Sequence, residues 1–243
     1  QFNMKYSWIP DTPDHRDHKF ELTAITAYPE SFDLRPNDTP IKDQGDLGSC
    51  TGNAIAGAFA YELKSQKLPF VDPSRLFIYY NERVMEGTVN QDAGAMIRDG
   101  IKSIATLGVC DETLWPYDIT KFKKKPLAKC YTAARKHKAI SYSRIPQTEA
   151  ALKTVLSSDT CVVFGFSVYE SFESAEVART GKMPMPGKNE KLLGGHAVTM
   201  VGYTKDYYIV RNSWGTGWGD KGYFYMPKDY PINNDLADDF WAI

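Results

Sequence analysis

Gln44, Cys50, His196 and Asn212 are of types that together could carry a nucleophilic reaction at a carbonyl. A thiol attacks well only as a thiolate, and the reaction needs a proton donor for the leaving group, something to orient that donor, and hydrogen bonds for the oxyanion. Cys50 follows the small-residue approach Gln44-Gly45-Asp46-Leu47-Gly48-Ser49 and leads into Gly52-Asn53-Ala54-Ile55-Ala56-Gly57-Ala58-Phe59, which reads as a buried helix. At a helix's first turn the unpaired N–H groups and the positive dipole end favour an anion and lower a thiol's pKa. Each residue alone also has a plain reading. A free cysteine is commonly a buried small hydrophobe, a histidine before an apolar strand can be a satisfied core residue, Asn212 can cap a turn, and Gln44 can be a surface amide.

The elements that would have to bring these residues together change character along the chain. Helices are predicted from near Cys50, over Pro73 to Val84 with Asp72 as N-cap, and from about Gly94 to Leu107 with Gly108 as the stop. After Ile140 one more helix is predicted at Thr148 to Leu156. Strand-length apolar runs follow at Cys161 to Val168, His196 to Tyr203, Tyr207 to Val210 and Gly222 to Met226, separated by glycines and charged turns as in antiparallel sheets. The segment Ser171 to Gly195 is expected to be a surface excursion, and residues 1–27, with Pro10 and Pro13 among polar clusters, an extended arm. Asp14-His15-Arg16-Asp17-His18 reads as an exposed loop rather than a metal site.

Composition removes several classes of function. Among 243 residues, 42% are hydrophobic and 13% aromatic, enough for a packed core, and a net charge of −1 draws the chain neither to nucleic acid nor to anionic lipid. The basic run Lys121-Phe122-Lys123-Lys124-Lys125 reads as a solvated loop. No apolar run approaches the ~20 residues needed to span a bilayer, and no leader opens the chain, so a soluble monomer is expected. Because it starts at Gln1, an earlier leader or pro-region is compatible with it. None of the four cysteines are spaced as Cys-x-x-Cys, so no structural zinc, and no other metal or cofactor, is expected. Cys110 and Cys130 bracket a Pro- and Lys-rich loop and are the pair best placed for a disulfide, while Cys161 reads as a buried thiol. A disulfide would point to an oxidising compartment.

Gln44-Gly45-Asp46-Leu47-Gly48-Ser49-Cys50, Gly194-Gly195-His196-Ala197-Val198 and Asn212-Ser213-Trp214-Gly215-Thr216-Gly217-Trp218-Gly219 resemble the catalytic segments of papain-like cysteine peptidases. Pro29-Glu30-Ser31-Phe32-Asp33-Leu34-Arg35 resembles the start of the mature domain in that family, and the resemblance covers roughly residues 28–230. Cys50 precedes His196 by 146 residues and Asn212 by 162, close to the papain-type separations. The resemblance implies an α+β fold of two lobes, helical over 28–140 and β-rich over 141–243, with the site in the cleft between them. Residues 1–27 are then an N-terminal extension or a residual pro-segment.

The resemblance also implies roles. Cys50 is the nucleophile, His196 the imidazolium partner that protonates the leaving amine, Asn212 its orienting group and Gln44 an oxyanion donor beside the Cys50 N–H. Trp214 would shield the Asn–His bond from water. Gly48, Ser49, Gly94, Ala95 and Gly195 would lie along the substrate, and Met96, Phe164 and Ala197 would wall an apolar pocket for the residue second from the scissile bond. The expected partners are a polypeptide substrate and either the chain's own pro-segment or a cystatin-like inhibitor, and the expected setting is secreted or lysosome/vacuole-like. The family commonly has a cysteine three residues before the nucleophile and a tryptophan just after it. Here those positions are Leu47 and Thr51, which suggests a divergent microbial or viral branch. Two other readings stand beside an endopeptidase: a catalytically silent peptide-binding scaffold, and a thiol amidase or acyl transferase on a related fold.

Overall fold

The small-residue run after Cys50 forms α1 (Cys50–Ser65), in which nearly every side chain is buried. Its glycines allow that burial. A Cβ at Gly52 would come within 2.9 Å of the Arg75 carbonyl oxygen, and one at Gly57 within 3.0 Å of Arg211 Nε, so a neighbouring backbone and a cationic side chain press directly on the helix. The computed structural model describes residues 5–21, 27–139 and 141–243. Against α1 pack α2 (Arg75–Glu86) and α3 (Ile97–Thr106), and α4 (Ala128–Ala134) meets α2 where the Tyr131 ring centroid lies 4.9 Å from that of Phe77.

The α2 helix starts two residues later than the sequence predicts. Its N-cap is Ser74, whose hydroxyl accepts from Phe77 N, rather than Asp72. A hydroxyl at that position can reach back to the third helical N–H, which is what a cap requires. At the far end Gly87 takes a left-handed φ of 73° and closes the helix. Met96, not Gly94, is the residue before α3, and Gly108 at φ 79° follows it.

The second half is built on a seven-stranded antiparallel sheet in the order β2 (Ser143–Arg144), β7 (Ala237–Ala242), β3 (Val162–Tyr169), β4 (Leu192–Tyr203), β5 (Tyr207–Arg211), β6 (Tyr223–Pro227), with β1 (Phe32–Asp33) pairing β4. A helix, α5 (Glu149–Ser157), capped by Thr148, packs on β3 and β4. The Ser171–Gly195 excursion contains the short helix α6 (Ala175–Thr180), and β4 begins inside it at Leu192. β7 is unmarked in the sequence because Asp238-Asp239 interrupts its apolar run, and Asp is depleted in strands. A register shift opposite β3, with Asp239 at φ 60°, accommodates the acidic pair.

The helical half and the sheet meet where α1 runs along β4, and Thr199 Oγ1 donates to Ala54 O across that junction. All four cysteines are buried free thiols, which corrects the expected Cys110–Cys130 disulfide. The two side chains are neighbours all the same. Burial first, and the adjacent Cys130 second, push the Cys110 thiol up to about 12.

Candidate active site

Cys50 is the first residue of α1 and is fully buried. His196 lies on β4 and Asn212 immediately follows β5, strands paired to each other, so the antiparallel ladder sets their side chains together. His196 Nε2 lies 2.8 Å from Asn212 Oδ1. Since an amide oxygen only accepts, Nε2 carries the hydrogen and Nδ1 keeps its lone pair. The same Oδ1 accepts from Ser213 N at 2.8 Å, and Trp214 stacks on the imidazole with centroids 4.9 Å apart and planes 25° off parallel. Among the described residues, His196 Nδ1 has no hydrogen-bond partner. The Cys50 sulfur is approached by the backbone N–H of Ala197, the residue after the histidine.

Gln44 is held from three sides. Its backbone N–H donates to Ser213 O at 2.8 Å, Ser213 Oγ donates to its Oε1 at 2.7 Å, and Tyr117 Oη donates to its carbonyl at 2.6 Å. With Oε1 occupied, the amide nitrogen must be the end that faces inward. One of its hydrogens goes to Leu47 O at 3.1 Å, so both ends of the amide are fixed in place. Ser213 and Tyr117 were not legible as site residues. Ser213 could have been found from its place inside the Asn-Ser-Trp-Gly run, whereas nothing around Tyr117 marks it.

The cleft is occupied by the chain's own N-terminal arm. Ser7 Oγ lies 3.3 Å from Cys50 Sγ, Trp8 N donates to Gly195 O at 3.1 Å, and Ala95 N and O bond to Ser7 O and Ile9 N at 3.2 and 3.0 Å. Tyr6 packs edge-on against both His196 and Trp214 and donates from its hydroxyl to Glu173. Trp8, 9% exposed, lies on Gly165 and Gly195, where an added Cβ would stand 2.0 and 2.6 Å from the indole, and its Nε1 donates to Asp239 Oδ2 at 3.0 Å. What meets the thiol is thus Ser7, with its hydroxyl oxygen 3.3 Å from the sulfur.

Under this cover burial disfavours the charged forms of both Cys50 and His196. Burial raises the Cys50 thiol above its ordinary value, with the Ser7 and Ala197 contacts opposing only in part, and burial lowers His196 to about 4 against the opposing bond to Asn212.

The arm is anchored by a buried ion cluster. Asp17, whose side chain is 5% exposed, takes Arg98 at 2.7 Å and Arg144 at 3.1 Å. Arg144 also reaches Asp11 at 2.8 Å and Asp239 at 3.2 Å. Trp241 Nε1 donates to Asp11 as well. Residues 14–18 are therefore not simply an exposed loop: Asp14 pairs with Arg16 at the surface, but Asp17 points into the protein.

Gly48, Gly94, Ala95 and Gly195 lie along the arm. Ser49 turns away, its hydroxyl 2.6 Å from Tyr117 Oη. Phe164 is not a cleft residue: fully buried, its ring stacks on Phe240 at 5.0 Å. Alternation along β3 puts the neighbouring Gly165 against the indole instead. The floor of that pocket is the carboxylate of Asp239, absent from the sequence reading because β7 was.

Residues 28–239 match the family model for papain family cysteine proteases. The chain is 43% identical, over 99% of its length and 87% of the relative's, to an uncharacterized peptidase C1-like protein of Acanthamoeba polyphaga mimivirus. It is 30% identical to Peptidase 1 of Dermatophagoides farinae, over 93% of this chain and 72% of that one. Among solved structures it is similar to xylellain, a cysteine protease from Xylella fastidiosa, with a TM-score of 0.91 and 46% identity over 98% of this chain and 95% of that one. A two-lobe α+β fold with a buried Cys, His and Asn at the lobe junction defines a cysteine peptidase. The chain belongs to the papain family, in a divergent branch with viral and bacterial relatives.

Proposed function

We propose that the protein is a papain-like cysteine endopeptidase, working through a Cys50 thiolate and His196 imidazolium pair and an acyl-enzyme, and that the form described here is latent. The observation that carries the chemistry is the fixed set around one thiol: His196 held by Asn212 under Trp214, with Gln44 turned inward by Ser213. Once the cleft is solvated, the Nδ1 lone pair takes the thiol proton. The thiolate attacks the carbonyl, the Gln44 amide and the Cys50 N–H receive the oxyanion, and the imidazolium protonates the departing amine.

Latency rests on the arm. Ser7 covers the sulfur, and the arm's backbone from Ser7 to Ile9 is bonded to Ala95 and Gly195 along the cleft. On this reading residues 28–140 and 141–243 are the working lobes, and residues 1–27 their cover. The pocket that seats Trp8 is clear of side chains along Gly165 and Gly195 and takes the ring N–H on Asp239, which supports a hydrophobic, best aromatic, residue second from the scissile bond.

The test is cleavage of a fluorogenic peptide bearing such a residue, before and after limited proteolysis of the arm. Activity that appears on arm removal, is abolished by an epoxysuccinyl thiol reagent and is absent in Cys50→Ala supports the reading. Thiol labelling without peptide turnover would favour a silent scaffold or another acyl transferase.

A further inference from the structure

The arm crosses the cleft as an extended chain, so its side chains alternate between the two walls. Tyr6 and Trp8 turn toward the sheet, against His196, Trp214, Gly195 and Gly165. Ser7 and Lys5 turn toward the helical wall. There Ser7 meets Cys50 and Lys5 Nζ lies 2.7 Å from Asp92 Oδ2. A lysine ammonium carried by a peptide in the substrate cleft is therefore seated on a carboxylate of the enzyme.

Asp92 is built to be there. It precedes Gly94 and Ala95, the backbone that pairs with the arm, and its side chain is 16% exposed. The Gly48 N–H lies 3.0 and 3.2 Å from its two oxygens, and Tyr79 Oη donates to Oδ1 at 2.6 Å. These bonds pin the carboxylate mainly through Oδ1, and Oδ2, which shares only the longer contact to Gly48, is the oxygen Lys5 meets. The site is also close to the chemistry. The position a Gly48 Cβ would take is 2.9 Å from Asp92 Oδ1 and 3.1 Å from Ser7 Oγ, the atom 3.3 Å from the catalytic sulfur. Asp43 and Asp46 line the adjoining cavity of about 520 Å³, and Lys5 is the cation among its lining residues. Hydrophobic selection at the Trp8 seat leaves this opposite, acidic wall without an assigned role.

We propose that Asp92 is a specificity-determining residue that recognises a lysine or arginine side chain of the peptide substrate beside the scissile bond, with Lys5 of the arm as its intramolecular stand-in. This rests on the cleft being a peptide-binding site, as in the reading above, and names the class of peptide it takes. An ammonium or guanidinium on a carboxylate that is already oriented and largely desolvated gains more than an exposed pair would, because little side-chain order remains to be imposed. The Gly48 amide ties Asp92 to the loop that carries Gln44 and Cys50, so a substrate cation docks against a wall rigidly linked to the nucleophile.

The experiment uses the full chain carrying Lys5→Ala, Trp8→Ala and Cys50→Ala, which frees the cleft and prevents turnover. Hexapeptide amides, each with a single arginine moved through the four central positions, are compared by calorimetry with the same peptides carrying norleucine there. At one position arginine is expected to bind at least about tenfold more tightly, the size of one charge-assisted hydrogen bond. Asp92→Asn, which keeps an acceptor for Tyr79 and Gly48, should bring that ratio to about one while unfolding remains cooperative. Equal binding of the paired peptides, no binding of either, or a preference that survives Asp92→Asn overturns the assignment. Absence of turnover in the Cys50-containing chain, alongside discriminating binding in the variant, removes the peptidase chemistry and leaves the recognition site standing.

Discussion

The Asn212 side-chain oxygen receives two donors, His196 Nε2 and Ser213 N, and so fixes both the tautomer and the tilt of the imidazole. Asn212→Ala should lower kcat by about a hundredfold with little change in KM, because what it loses is orientation rather than substrate contact. Gln44→Ala should cost a similar or larger factor through the missing oxyanion donor. Steady-state kinetics on one fluorogenic peptide checks both, and a rise in KM alone would mean these residues bind substrate instead. With the arm off, activity should trace a bell against pH, rising as Cys50 ionises and falling as His196 loses its proton. A single sigmoid with no alkaline limb would remove the imidazolium role.

In the covered form His196 has a lowered pKa of about 4, so the unfolded chain binds the extra proton between that value and the ordinary one near 6.5. The stability that neutral His196 contributes is therefore present above pH 6.5 and lost as pH falls toward 4, by at most about 3 kcal/mol. Urea titrations of the wild type and of His196→Gln at pH 7.5 and 4.5 should show the acid loss reduced in the variant.

At the scale of the element, the arm is held by what its neighbours lack as much as by what they offer. Gly165 on β3 and Gly195 on β4 have no Cβ, and the Trp8 indole occupies that space. Gly165→Ala should therefore displace the arm as effectively as Trp8→Ala, although it changes no arm residue. Both should speed alkylation of Cys50 by iodoacetamide at least about tenfold over the wild type. Unchanged labelling in both would mean the thiol is not protected by the arm.

The buried strand β3 shows how far local pattern reaches. The strand β3 reads correctly from its Val and Phe content. Which of its faces meets the cleft depends on register with β4 and β7, and a one-residue difference separates Phe164 in the core from Gly165 at the pocket.

For the whole molecule, Arg144 on β2 connects Asp11 and Asp17 of the arm to Asp239 on β7, while Arg98 on α3 ties the same arm to the helical half. Burial, with Asp11 nearby, pushes Asp239 up to about 6, so this cluster depends on its arginines to hold the carboxylates as anions. Arg144→Met should destabilise the chain by about 3–5 kcal/mol in urea unfolding, since it leaves buried carboxylates without their cation. Neutralising the carboxylate whose only ion-pair cation is Arg144, as in Arg144→Met with Asp11→Asn, should recover part of that loss, and a double variant no better than the single would mean the pair is not coupled.

Gln44, Cys50, His196 and Asn212 could be singled out, and the two-lobe α+β fold expected, because three short segments resemble those of papain-like peptidases: a small-residue approach to a helix, a strand opening on Gly-Gly-His, and the Asn-Ser-Trp-Gly run. Hydrophobic period also placed most helices and strands to within a few residues. The course of the arm, the seat of Trp8, the acidic floor at Asp239 and the lysine on Asp92 are contacts between residues up to 231 positions apart. Only tertiary structure decided those, because an extended polar segment has no periodicity of its own, and its conformation is set by the cleft in which it lies.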